Sequence, residues 1–298
     1  MKQKLKGSAL LLLATVIWGN AFVAQSVGMD YIGPFTFQAI RCALAVVFLA
    51  PVTFLFECKH SSFSASCRRW LDPKLWKAGI ICGCALFMAT TLQQIGLIYT
   101  DAGKSGFLTA MYIVLVPIFG IFIGRKPPKA AVFSVILAVI GLYFLSFAGM
   151  SGINIGDLAL VGCAVAFAVQ ILCIDRFACE LDGIRLNCVQ ALVVSVISVP
   201  FMLLTETVEI QNILDCWLPL AFAGVLSMGV AYSLQITGQK LLEPTTASLL
   251  MSMESVFAVL GGWLMLQETM SEREILGCVL MFGAVLISQI PERKKAGS

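Results

Sequence analysis

The chain has 298 residues, of which 59% come from the set AVILMFWYC and only 12% are charged, with a formal net charge of +3. An ordinary soluble domain carries about 25% charged residues, and a mean hydropathy of +0.93 leaves too few polar side chains to cover a water-soluble surface. Composition therefore excludes soluble, disordered, fibrous and disulfide-scaffold classes and implies a polytopic membrane protein.

A spanning helix uses about 20 apolar residues. Apolar runs bounded by charges, proline and glycine predict ten of them, at about 7–26, 34–56, 78–98, 103–124, 128–147, 155–175, 184–204, 215–237, 244–266 and 273–290. Ten spans would take roughly 200 positions and leave only short loops. The runs are long and continuous, without the alternation of a closed barrel. The expected class is an all-α polytopic membrane protein. The first run has the basic start and apolar core of a signal peptide, with Ala24-Gln25-Ser26 as a cleavage-like triplet. Its partner inside the chain, described below, argues for a retained span instead.

The loops alternate in basic content. One side collects Lys2, Lys4, Lys6, Lys59, Arg68, Arg69, Lys74, Lys77, Arg125, Lys126, Lys129, Arg176, Arg185, Lys240, Arg293, Lys294 and Lys295. The other holds only Lys104 and Arg273, along with Asp30, Glu206, Glu209, Asp215, Glu268 and Glu272. Positively charged loops stay in the cytoplasm. The expected location is the cell membrane, with both termini cytoplasmic and an even number of spans.

An internal repeat organises the chain. Gly7 and Gly156 are 149 residues apart, as are Pro51 and Pro200, while Gly96/Gly238, Gly120/Gly262 and Gly141/Gly283 are each 142 apart. The change of register fits one longer loop between spans 2 and 3. Residues 1–149 and 150–298 thus read as two five-helix repeats. Five is odd, so the halves must be inverted relative to each other, a hallmark of secondary transporters that work by alternating access.

Polar residues follow the same registers: Gln38/Asn187 and Arg41/Gln190 at 149, and Thr90/Tyr232, Gln93/Gln235 and Tyr112/Glu254 at 142. Polar groups are costly in lipid and should face the bundle interior or an aqueous cavity. The expected substrate-binding set is Asn20, Gln38, Arg41, Gln93, Tyr112, Asn187, Gln190, Gln235 and Glu254. Gln38, Arg41 and Gln93 fall toward the outer side and Asn187, Gln190 and Gln235 toward the inner, as two vestibules around a centre at Tyr112 and Glu254. Glu254 is the proton-coupling candidate, because an acid well inside a span is a functional group by default; a carboxyl satisfied by nearby serines is the alternative. Any single amide could instead bond helices together. Trp18 and Trp263 could stack on cargo, although packing is their commoner use. Gly79-xxx-Gly83 and Gly120-xxx-Gly124 read as close helix contacts. Spans 5 and 10 are almost wholly apolar, facing lipid or a second copy in a homodimer.

No HExxH, P-loop, GxSxG or GxGxxG signature occurs, so neither an enzyme nor an ATP-driven pump is expected, and no cofactor or nucleic-acid partner is implied. Most of the eleven cysteines lie in apolar runs, and no CxxC pair occurs. Cys58, His60 and Cys67 lack a fourth ligand, so no metal is expected.

Residues 252–288, SMESVFAVLGGWLMLQETMSEREILGCVLMFGAVLIS, resemble the end of the second repeat in the drug/metabolite transporter superfamily, EamA type. Trp18-Gly19-Asn20-Ala21-Phe22 and Arg41 early in span 2 are also similar to that family, and the likeness runs over essentially the whole chain. Two departures stand out: Ser255 where the family commonly has proline after the acid, and Lys126 where the second repeat has Glu268. The resemblance implies ten helices in an inverted five-helix repeat, and export or exchange of small metabolites or drugs by alternating access. A channel-like facilitator and a non-transporting scaffold or receptor remain the alternatives.

Overall fold

The structure, a computed structural model, describes residues 2–58, 63–100, 102–125, 127–146, 154–266 and 270–289. The described residues are helical throughout, joined by short turns. In chain order the α-helices are α1 (Lys2–Met29), α2 (Pro34–Cys58), α3 (Phe63–Trp70), α4 (Pro73–Tyr99), α5 (Ala102–Ala110), α6 (Tyr112–Phe122), α7 (Lys129–Ser146) and α8 (Ile155–Phe177). They continue with α9 (Gly183–Thr205), α10 (Ile210–Asp215), α11 (Trp217–Ala221), α12 (Tyr232–Gln239), α13 (Pro244–Met251), α14 (Glu254–Leu266) and α15 (Glu272–Ser288). A π-helical stretch, Phe222–Ala231, joins α11 to α12. Among the described residues seven helical stretches are long and apolar enough to cross a membrane, and Lys129–Leu145 is a shorter apolar helix.

Helix starts follow local capping chemistry. Asn154 and Asp157 form a capping box on α8, and Ser271 and Glu274 do the same on α15. Asp72 and Asp182 accept from first-turn amides of α4 and α9. The start of α2 is capped from far along the chain. Glu206, at the end of α9, accepts from the Phe35 and Thr36 amides at 2.8 Å and from the Thr36 hydroxyl at 2.6 Å. The start of α2 therefore lies against the end of α9, and Ser195 donates to the Ala39 carbonyl at 2.9 Å further along. The two helices run antiparallel.

Close approaches hold the other layers. The expected contact at Gly79 and Gly83 is real: a Cβ on Gly83 would fall 2.7 Å from the Val193 Cβ of α9. Gly141 of α7 and Gly277 of α15 meet so closely that a Cβ on Gly277 would lie 2.7 Å from the Gly141 carbonyl oxygen. The outer faces of α7 and α15 expose Phe133, Ile136, Val279 and Leu286, surfaces suited to lipid. Gly120-xxx-Gly124 is not a helix contact. A Cβ on Gly120 would meet only the Arg125 Cβ, at 3.9 Å, and space around Gly124 is open; Gly124 has a φ of 82°, and the Arg125 amide donates back to the Gly120 carbonyl at 2.9 Å. The pair ends α6, because only glycine adopts that left-handed turn at no steric cost.

Three features depart from continuous expected spans. Span 4 is interrupted at Met111, between α5 and α6, and span 9 at Ser252–Met253, between α13 and α14. At both points the backbone tightens to i→i+3 bonds, from the Met111 amide to Leu108 and from the Met253 amide to Leu250. The third departure is the π-helical stretch in span 8. Neither interruption has a proline or glycine at the break to announce it, whereas the π-helical stretch contains Gly224 and Gly229.

The ion pairs among the described residues lie at the bundle's two ends. At one end Arg125 pairs with Asp175, Lys74 with Glu180 at 3.3 Å, and the Lys240 ammonium donates to the Leu181 carbonyl. At the other, buried Lys104 and Asp157 pair at 2.6 Å beside Thr100. His60, Lys126 and Glu268 lie outside the described residues.

Candidate substrate cavity

Where the interrupted helices meet α1, α2, α4, α8 and the π-helical segment, they line a central cavity of about 40 Å³. Tyr112 and Glu254, the first residues of α6 and α14, face each other there, and the Tyr112 hydroxyl donates to the Glu254 carboxylate at 3.2 Å. Helices that restart at corresponding points of two halves are the usual pointer to a transporter's binding site. Trp18, Phe22, Phe167 and Tyr232 supply aromatic walls, with the Trp18 and Tyr232 rings edge to face at 4.9 Å.

Arg41 reaches this cavity from α2 and is only 2% exposed, so its side chain does not run out to the membrane surface. Its guanidinium is held by neutral amides: Nη1 donates to Gln25 Oε1 at 2.5 Å, and Nε donates to Gln38 Oε1 at 2.9 Å. Among the described residues no carboxylate lies within ion-pairing distance of it. Gln93 and Gln235 complete the polar lining. The Gln235 amide nitrogen donates to Gln239 at 3.0 Å, whereas its oxygen and the Trp18 indole N–H have no hydrogen-bond partner among the described residues. The cavity thus presents a buried cation, a carboxyl, one free donor and one free acceptor on an aromatic frame.

Five of the nine expected site residues therefore share the cavity: Arg41, Gln93, Tyr112, Gln235 and Glu254. Gln38 stands one layer behind, orienting Arg41 and donating to the Thr90 hydroxyl. Asn187 and Gln190 are fully buried but turned away; Asn187 donates to the Met228 and Gly229 carbonyls at 2.9 and 3.0 Å, and Gln190 donates to the Asn187 oxygen at 2.9 Å. Asn20 is half-buried in a separate apolar groove beside Gly261 and Phe222, donating to its own helix at Val16. Exposed Trp263 is not among the cavity residues.

Sequence reasoning missed Gln25, Phe167 and Ser227, left Trp18 between stacking on cargo and packing, and treated Tyr232 only as the repeat partner of Thr90. A signal for the α1 wall was present, because Trp18, Phe22 and Gln25 recur at the i, i+4, i+7 spacing of one helix face. Further openings lie at either end. Ser26, Asp30, Leu97 and Glu206 line one, and Val116, Arg125, Leu172 and Glu243 line the other. Each comes within one helical turn of the central lining: Leu97 is one turn from Gln93, and Val116 one turn from Tyr112.

Comparison with known proteins agrees with this architecture. The EamA-like transporter family matches the chain twice, over residues 5–147 and 154–289. An uncharacterized transporter of Archaeoglobus fulgidus is 33% identical over 280 residues, covering 93% of this chain and 83% of that protein. The uncharacterized transporter YoaV of Bacillus subtilis is 26% identical over 91% of this chain and 92% of its own length. The threonine/homoserine exporter RhtA of Salmonella typhimurium is 34% identical over 167 residues, 54% of this chain and 55% of RhtA. A crystal structure at 18% identity superposes with a TM-score of 0.77 over 95% of this chain and 96% of its own, a likeness of fold. The chain belongs to the EamA-like transporter family and is a multi-pass membrane transporter.

Proposed function

We propose that this protein is a secondary active exporter of small zwitterionic metabolites, amino acids foremost, working by alternating access across the cell membrane. The observation that carries the reading is the central cavity's two charged groups, each held by neutral partners and neither paired with the other. A buried charge without a counter-charge is costly, and a cargo bearing both signs supplies one to each. Its carboxylate would meet the Arg41 guanidinium, whose planar fork matches a carboxylate. Its ammonium would meet Glu254, and its apolar part the Trp18, Phe167 and Tyr232 rings. The threonine/homoserine export named for RhtA points to the same class.

In this reading ten spans form two inverted five-helix repeats, residues 1–149 and 150–298. The twofold family match, the antiparallel α2–α9 pair and the interruptions at equivalent points of spans 4 and 9 support it. Arg41, Gln93, Tyr112, Gln235 and Glu254 contact cargo, and Gln38 positions Arg41. Asn20, Asn187 and Gln190 hold the scaffold around them. Glu254 carries the coupling proton. Export fits the basic end facing the cytoplasm, with cargo entering past Arg125 and Glu243.

The test is counterflow. Purified protein in liposomes loaded with unlabelled L-threonine should take up labelled L-threonine transiently above its equilibrium level, with saturable kinetics. Arg41→Gln should raise the half-saturation concentration at least tenfold. Linear, non-saturating flux would make the protein a channel. Absence of flux for threonine, other amino acids and amine drugs alike would make it a scaffold or receptor.

A further inference from the structure

The central cavity's wall on the eighth span depends on an unusual backbone. Ser227, Tyr232 and Gln235 all line it. Ser227 and Tyr232 are five residues apart, and at about 100° per residue an α-helix would turn them about 140° away from each other. Here the Tyr232 amide donates to the Ser227 carbonyl, the i→i+5 bond of a π-helix, so the two residues lie one above the other on the same face. Gln235 then follows three residues later in α12, on the side of Tyr232. The corresponding part of the third span, inside α4, is ordinary α-helix.

A wide turn that gives way to α-helix leaves main-chain carbonyls short of amide partners, and a carbonyl buried without a donor is expensive. Asn187 stands at that junction. It is fully buried on α9, and its amide nitrogen lies 2.9 Å from the Met228 carbonyl, 3.0 Å from that of Gly229 and 2.9 Å from the Ser233 hydroxyl. Ser233 in turn donates to the Gly229 carbonyl at 2.7 Å. Gln190, one turn along α9, donates to the Asn187 oxygen and so fixes which way the amide faces. Two buried amides on one helix thus serve the carbonyl end of the wide turn on another.

We infer that Asn187, oriented by Gln190, is a positioning residue that stabilises the π-helical turn and thereby places Ser227 and Tyr232 together on the cavity wall. The transport consequence rests on the central cavity being the cargo site. The structural consequence does not, because Trp18 packs on Tyr232 and reports its position without any cargo bound.

The experiment uses the full-length protein with Trp18 as its only tryptophan, the other four being replaced by phenylalanine. Asn187→Leu keeps similar bulk and removes the donor. Amide exchange over residues 228–233 should accelerate at least tenfold while α4 and α8 are unchanged, and Trp18 emission should shift. The half-saturation concentration for L-threonine counterflow should rise about tenfold, with the maximal rate changed less than twofold. In a Tyr232→Phe, Ser227→Ala background the same substitution should no longer alter half-saturation, because groups acting as a unit are not additive. If Asn187→Leu does not fold, Gln190→Leu removes only the orienting bond and should move exchange and emission in the same direction by smaller amounts. Unchanged exchange and emission in a folded variant, or an additive effect on half-saturation, would overturn the inference. A wild type that shifts as described on substitution but never moves threonine would leave the positioning role standing and sink the cargo assignment.

Discussion

The Tyr112 hydroxyl donates to Glu254 at 3.2 Å, and the Arg41 guanidinium, in the same cavity, rests on Gln25 and Gln38. The two charged side chains call for different tests. If Glu254 carries the coupling proton, Glu254→Gln should abolish uptake driven by a pH gradient while leaving the melting temperature close to wild type and threonine exchange measurable, with a raised half-saturation concentration because the cargo ammonium loses its counter-charge. Wild-type pH dependence in that variant would make the residue a structural carboxyl. Gln25→Leu removes an acceptor from a buried cation, and hydrogen bonds to charged groups contribute about 1.5–3 kcal/mol. Melting temperature should fall and half-saturation rise together, whereas a change in neither would show that Gln38 alone suffices. Arg41 and Gln38 illustrate what residue spacing can say. They share a helix face by their i,i+3 spacing, yet one meets the cavity and the other supports it from behind.

At the scale of elements, the close contact of α7 with α15 depends on the absence of side chains at Gly141 and Gly277. Gly277→Leu should destabilise the fold by about 3 kcal/mol, the upper end of the usual cost of overpacking, because the neighbouring atom is backbone and cannot swing away. A mild effect would mean that the two helices separate readily. Capping of α2 by Glu206 crosses the bundle between two antiparallel helices. Glu206→Ala should cost about 1–2 kcal/mol, in the range of lost helix caps, and should loosen amide exchange at Phe35 and Thr36 ahead of the rest of α2. The interruptions at Met111 and Ser252–Met253 belong to this scale too. They bring Tyr112 and Glu254 to the starts of two short helices and so to the centre of the bundle. Hydropathy does not register them, because the apolar runs on both sides are long enough for the averaged profile to read one continuous span across each break.

For the molecule as a whole, the charge partition predicts sidedness. In a cysteine-free background, cysteine at exposed Glu180 should label from the cytoplasm and cysteine at exposed Gln211 from outside. Labelling of both from the same side would dismantle the inverted-repeat topology. The structure is compatible with that partition, since Arg125, Lys74 and Lys240 find partners at one end while Lys104 and Glu206 serve the other.

Helical class, membrane residence, repeat registers and family were legible in the sequence by itself, because each rests on local quantities: runs of apolar residues, charge in loops, and spacing along one chain. The pairing of Tyr112 with Glu254 was legible too, through the 142-residue register. Tertiary structure alone decided which of the other polar groups meet. Asn187 and Gln190 are as polar and as deep as Gln93 and Gln235, yet Asn187 donates to the Met228 and Gly229 carbonyls of the π-helical turn and Gln190 donates to Asn187, and the apolar run of that span does not mark the turn. Gln25 resembled part of a cleavage site until the fold set it against Arg41. A buried amide bonds whatever acceptor the neighbouring helix presents, and helix rotation and backbone register, which determine that acceptor, come from packing over the whole bundle.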